Sequence, residues 1–147
     1  MLKVLIVEDS AILGELFSDY LSLVGYEVVG VARTIVEAVN LTTLHRPNVA
    51  VVDYRLGNDE FGTQLRPQIS QKSDLAVLYL SGAPLGTLLS REDGEGFAQK
   101  PISLDDLDQS VRLVWSIKMN GHASGERIPG SFHKLPALAV KGATRAP

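Results

Sequence analysis

The chain of 147 residues contains no cysteine, which excludes disulfides, thiolate metal sites and cysteine nucleophiles. It has no apolar run near the roughly 18 residues that a membrane-spanning helix requires, so no membrane association is expected. Met1 leads directly into an apolar, strand-like segment, with neither a basic stretch nor a signal core and cleavage site before it, and the expectation is a cytoplasmic protein. Cationic excess is also missing. Residues 1–119 carry 10 Lys and Arg against 16 Asp and Glu, an acidic body that argues against a nucleic-acid platform. The three histidines, His45, His122 and His133, show no ligand spacing with one another or with carboxylates, and read as surface or tail residues. What remains is ordinary for a globular protein: 45% hydrophobic and 21% charged residues, on a length suited to one domain with a real core.

Two of the apolar runs stop on acid. Leu2-Lys3-Val4-Leu5-Ile6-Val7 meets Glu8-Asp9, and Val49-Ala50-Val51-Val52 meets Asp53. If both runs are neighbouring parallel strands, three carboxylates converge at the carboxyl edge of the sheet, where open α/β folds bind ligands. Crowded carboxylates repel unless a cation sits among them. Mg²⁺, a hard ion that prefers oxygen ligands, suits such a cup, and Lys100 offers a second counter-charge.

Strand-like runs recur at residues 2–7, 27–31, 49–53, 75–80 and 96–99, with helical patterns between them. Ser10 caps a first helix that stops at Gly25, and Thr34 opens a second that ends before Pro47. A third, over residues 61–71, is interrupted by Pro67. Gly82, Pro84, Gly86, Gly94 and Gly96 leave room only for a stunted fourth helix around residues 85–91. Ser103 with Asp106 resembles a capping box ahead of a clear last helix whose stripe is Leu104, Leu107, Val111 and Val114. Alternating strands and helices imply βαβ units and a doubly wound parallel sheet with helices on both faces. The segment 120–147 has no clear period and reads as a Gly/Pro-rich tail behind a domain at 1–119.

VLIVEDS at the first strand end, VVDYRLGNDEFG around Asp53, LYLSG at the fourth and FAQKP at the fifth resemble the receiver domain of bacterial two-component response regulators. Each motif alone is weak; four in order, each closing a strand, are specific. The resemblance covers about residues 2–118 and implies a five-stranded, flavodoxin-like sheet of order 2-1-3-4-5. It makes Asp53 the phosphoacceptor for a phosphohistidine on a sensor histidine kinase or a histidine phosphotransfer protein. It makes Glu8, Asp9, Asp53 and the backbone carbonyl of Arg55 the ligands of Mg²⁺. By the same resemblance Lys100 pairs with the phosphoryl group, Pro101 follows a cis peptide, Ser81 moves its hydroxyl onto a phosphoryl oxygen, and Phe97 occupies an aromatic switch position. The implied protein is no enzyme in the usual sense. It is a stand-alone, chemotaxis-regulator-like switch, monomer or homodimer, read by partners on the face from the fourth helix through the fifth strand to the last helix.

The chain departs from the family pattern at two places. Gly57 stands where a proline is usual four residues after the phosphoacceptor, and the segment between Ser81 and Lys100 is about three residues short. Both bear on partner recognition. The rival readings are a pseudo-receiver acting as a constitutive binding module, which the intact Glu8, Asp9, Asp53, Ser81 and Lys100 oppose, and a haloacid-dehalogenase-type phosphohydrolase, which wants an acid where Arg55 stands. A flavin-binding flavodoxin-like protein is weaker still, because the first loop is acidic where phosphate needs donors.

Overall fold

Alternation along the strands decides the layers. The computed structural model describes residues 1–69, 74–86, 88–123 and 127–137. Strands β1 (Lys3–Val7), β2 (Glu27–Ala32), β3 (Val49–Asp53), β4 (Ala76–Ser81), β5 (Gly96–Gln99) and β6 (Phe132–Lys134) form one sheet of order β2-β1-β3-β4-β5-β6. The first five are parallel and β6 is antiparallel to β5. Successive side chains of one strand face opposite layers. Val4, Ile6, Val49, Val51, Leu78 and Leu80 therefore enter one core and Leu5, Val7, Ala50, Val52, Val77 and Tyr79 the other. Every residue of β3 and β4 is buried, as expected of central strands apolar on both faces.

Helices α1 (Ala11–Leu23) and α3 (Leu104–Asn120) cover the first face, and α2 (Ile35–His45) the second. Their starts follow the caps in the sequence: the side chains of Ser10, Thr34 and Ser103 accept from the backbone N–H groups of Leu13, Glu37 and Asp106. Their ends differ. Gly25 just beyond α1 and Gly121 after α3 have positive φ, which glycine adopts freely, whereas α2 ends on Arg46 at φ 50°.

Three expectations change. The helix over residues 61–71 is replaced, within the described residues, by two 3₁₀ turns, Gly62–Gln64 and Arg66–Gln68, because Pro67 removes a donor and the buried Arg66 turns inward. The shortened fourth helix is not a helix among the described residues. The N–H groups of Leu88 and Leu89 both bond to the Leu85 carbonyl, and the chain then unwinds through Ser90 to Glu95. Buried side chains of Leu56, Leu65, Ile69 and Leu85 fill the space that longer helices would cover. Finally, the segment beyond residue 120 includes a sixth strand, so the sheet gains an antiparallel edge; residues 138–147 lie outside the described residues. Three strand residues between Pro129-Gly130 and Pro136 are too few to show a period.

An ion cluster holds the helix-poor region together. Arg66 donates to the carbonyls of Leu75 and Glu92 and pairs with Glu95 at 3.0 Å, while Glu95 also accepts from the Val77 N–H at 2.8 Å. The Tyr79 hydroxyl donates to the Asp93 carbonyl at 2.8 Å. Buried charges need partners of this kind, and here they order a loop that lacks its own ladder of backbone bonds.

Candidate functional site

Because the first five strands are parallel, β1, β3, β4 and β5 deliver Glu8-Asp9, Asp53, Ser81 and Lys100 to one edge. Glu8, Asp9 and Asp53 each bring a carboxylate oxygen within 4.8 Å of the others. The Lys100 ammonium lies 3.2 Å from Asp53 Oδ2 and 3.9 Å from Glu8 Oε1. The three acids are unequal in exposure: Glu8 and Asp53 are buried and Asp9 faces solvent.

Burial, more than any neighbour, pushes the Glu8 carboxyl up to about 7; the Asp53 charge and a hydrogen bond with Asp9 add to the rise, while the Ser10 N–H and Lys100 oppose it. One oxygen, Oε2, accepts from that N–H at 3.1 Å. The other, Oε1, is buried without a hydrogen-bond partner. Its nearest cation is the Lys100 ammonium at 3.9 Å, beyond hydrogen-bond distance, so this buried oxygen keeps a free acceptor site facing the acids.

Ser81 is buried at the end of β4. Its Oγ donates to the Ala83 carbonyl at 2.7 Å and accepts from the Ala83 N–H at 3.1 Å, a closed turn in which the hydroxyl is satisfied locally. Ser81 and Lys100 are also linked through the backbone, the Lys100 N–H donating to the Ser81 carbonyl at 2.7 Å. The Lys100–Pro101 bond is cis, as the resemblance implies. Arg55 lies on the rim. It pairs with Phe61 in an isolated antiparallel bridge, its guanidinium 5.1 Å above the Phe61 ring. A pocket lined by Asp53, Arg55, Ser81, Gly82, Leu88 and Lys100 opens beside the acids. Phe97 stands apart from them: it is 3% exposed, and its ring stacks on His133 of β6 at 4.9 Å.

Some neighbours escape a reading of motifs. Arg33 donates from Nε and Nη2 to the Asp9 carbonyl, at 3.2 and 3.0 Å, tying the loop after β2 to the acidic loop. A Cβ at Gly57 would lie 3.1 Å from Asp9 Oδ2, so glycine where the family has proline leaves space beside the acid. A Cβ at Gly62 would fall 2.5 Å from both the Asp53 carbonyl oxygen and Val52 Cγ1, which makes that glycine a close-approach requirement behind Asp53. Gly57 and Gly62 left a signal in the run after Asp53, and Arg33 left none.

A flavodoxin-like sheet with three strand-end acids and a facing lysine defines a class of α/β signalling domain. The chain belongs to the response regulator receiver domain family of two-component systems, whose model matches residues 4–112. It is 30% identical over 117 residues to the transcriptional regulatory protein PdtaR of Mycobacterium tuberculosis, an alignment that takes in 78% of this chain and 57% of PdtaR. It is 28% identical over 118 residues to the probable transcriptional regulator ycf27 of Cyanophora paradoxa, covering 76% of this chain and 47% of that one. The chain thus matches only about half the length of these relatives. Among solved structures, the receiver domain of a putative LuxO repressor from Vibrio parahaemolyticus matches with a TM-score of 0.69 at 25% identity, covering 80% of this chain and 92% of that one.

Proposed function

We propose that this receiver domain accepts a phosphoryl group on Asp53 from a partner's phosphohistidine and signals through contacts that depend on that modification, either by protein binding or by passing the group along a phosphorelay. The observation that supports it most is Asp53 itself, buried at the end of β3 with Lys100 Nζ at 3.2 Å and two further acids beside it.

In the proposed reaction an Asp53 carboxylate oxygen attacks phosphorus and the bond from phosphorus to the imidazole nitrogen breaks, its electron pair staying on the histidine, which takes a proton from solvent. The carboxylates of Glu8, Asp9 and Asp53 fit Mg²⁺, being all oxygen donors with a buried Glu8 oxygen that lacks a hydrogen-bond partner, and the resemblance adds the Arg55 carbonyl to the set. When bound, the ion would neutralise the phosphoryl oxygens that a carboxylate must approach. Lys100 holds the Asp53 side chain before transfer and then pairs with a phosphoryl oxygen. Ser81 gives up its bond to the Ala83 carbonyl and donates to the same group. That exchange carries the signal into the loop after β4.

The test is incubation with acetyl phosphate or phosphoramidate and Mg²⁺, followed by intact-mass measurement. Wild type should gain one phosphate and Asp53→Asn none, and equal labelling of the two would refute the assignment. Lys100→Ala should retain the acceptor but slow transfer by about 10²-fold or more.

A further inference from the structure

The outer edge of β5 is filled by the chain's own C-terminal segment, in the manner of a bound peptide. Beyond the paired residues Gly96 with Lys134, Phe97 with His133 and Ala98 with Phe132, the ladder continues at both ends. The Gln99 N–H donates to the Ser131 carbonyl, the Leu135 N–H to that of Glu95, and the Arg91 N–H to that of Pro136, at 3.1, 3.1 and 2.7 Å. Two side chains act as knobs on opposite faces. Phe132 joins the core under α3 and Leu135, fully buried, joins the core that holds Phe97 and Leu85. Gly96 makes the first possible, since a Cβ there would lie 2.6 Å from the Phe132 ring.

On the side facing α3 the fasteners have one sign, whereas at the far end of the strand the Arg91 guanidinium of the body donates to the Leu135 carbonyl at 3.4 Å. Arg127 pairs with Asp105 at 2.7 Å and Asp106 at 3.2 Å, Ser131 Oγ donates to Asp106, and Lys134 Nζ donates to the Gly121 carbonyl at the negative end of α3. The groove is therefore acidic at its rim beside α3 and apolar at two points, and its occupant basic with an aromatic and, three residues on, an aliphatic side chain. In strand addition, backbone bonds supply affinity and alternate side chains in pockets supply specificity.

We propose that the β5 edge is a strand-docking site, held in cis by residues 131–136, for an extended partner segment of the same chemistry: an aromatic residue, an aliphatic residue three positions later, and flanking cations. The regular strand is three residues long, so its grip depends on the two knobs and the ion pairs. Short edge strands of this kind open below the global unfolding free energy. A partner segment then competes against the effective concentration of the tethered strand.

Two measurements on the full chain test this independently of phosphorylation. In native hydrogen exchange, the Gln99 and Leu135 amides should exchange at least about 100-fold faster than those of Ile6 and Val51. Equal rates would mean that the strand leaves only when the protein unfolds, and would overturn the proposal. In the second, a labelled peptide with the sequence of residues 129–137 is titrated into wild type and Arg127→Glu. Arg127 lies outside the groove, so its reversal loosens the tether and leaves the docking surface intact. The variant should bind about five- to ten-fold more tightly than wild type, and a peptide with aspartate at both knob positions should not bind. Absence of saturable binding to either protein, or equal binding of both peptides, would overturn the proposal. So would a concentration-dependent dimer of Arg127→Glu that excludes the peptide, which would assign the groove to a second copy.

Discussion

Glu8 is a buried acid whose protonation bears on stability. Burial raises its carboxyl from the ordinary 4.5 of a glutamate to about 7, so the native state binds this proton more tightly than the unfolded chain does. Below about pH 4.5 both states are protonated and the group costs nothing. As pH rises towards 7 the unfolded chain ionises first and stability falls, and above about 7 the full penalty is present. In EDTA, Glu8→Gln should therefore be more stable than wild type at pH 8, on the order of 1 kcal/mol after allowing for screening at the open site, and nearly equal to it at pH 4.5. Urea unfolding at the two pH values checks both the sign and its pH dependence. Gly62 makes a second residue-scale case. Its Cβ position is occupied by the Asp53 carbonyl and the Val52 side chain, so Gly62→Ala should cost about 1–3 kcal/mol and displace the acidic loop, read as a lower denaturation midpoint.

Among the elements, the regular ones were legible and the irregular ones were not. Ser10, Thr34 and Ser103 announce their helices because a cap is local chemistry, and doubly apolar β3 and β4 announce a central position because both faces are buried. The same strand-end logic located Glu8, Asp9 and Asp53, with Lys100 as their counter-charge, and the family resemblance added Ser81; the fold brings all five to one edge. The loops on either side of β4 defeated it, since Arg66 and Glu95 meet across 29 positions and no local pattern encodes their pairing. Phe97 was read as a switch residue, but the partner that covers it, His133, lies in a three-residue strand with no signature of its own. One helix end offers a test. Arg46 holds a left-handed conformation at φ 50° on an exposed surface, so Arg46→Gly should stabilise the protein by about 0.5–1 kcal/mol in thermal denaturation.

At the scale of the whole molecule, the second core is closed by side chains from loops and from the C-terminal segment more than by helices. Leu56, Leu65, Ile69, Leu85 and Leu135 take that role, and the Arg66–Glu95 pair pins the loops that carry several of them. Removing Arg66 leaves the buried Glu95 with the Lys118 ammonium, 4.0 Å from Oε2, as its remaining cation among the described residues. Arg66→Met should cost about 3–5 kcal/mol, whereas Arg127→Ala, an exposed pair, should cost no more than about 1 kcal/mol, and chemical denaturation separates the two.

The acidic edge can also be described by counting valence. With its carboxylates ionised, the cluster of Glu8, Asp9 and Asp53 carries three negative charges and faces the single positive charge of Lys100, a deficit of two. A single dication would restore electroneutrality at one position, as would protons on two of the acids. Added monovalent salt would shorten the reach of that deficit, because the screening length falls as ionic strength rises.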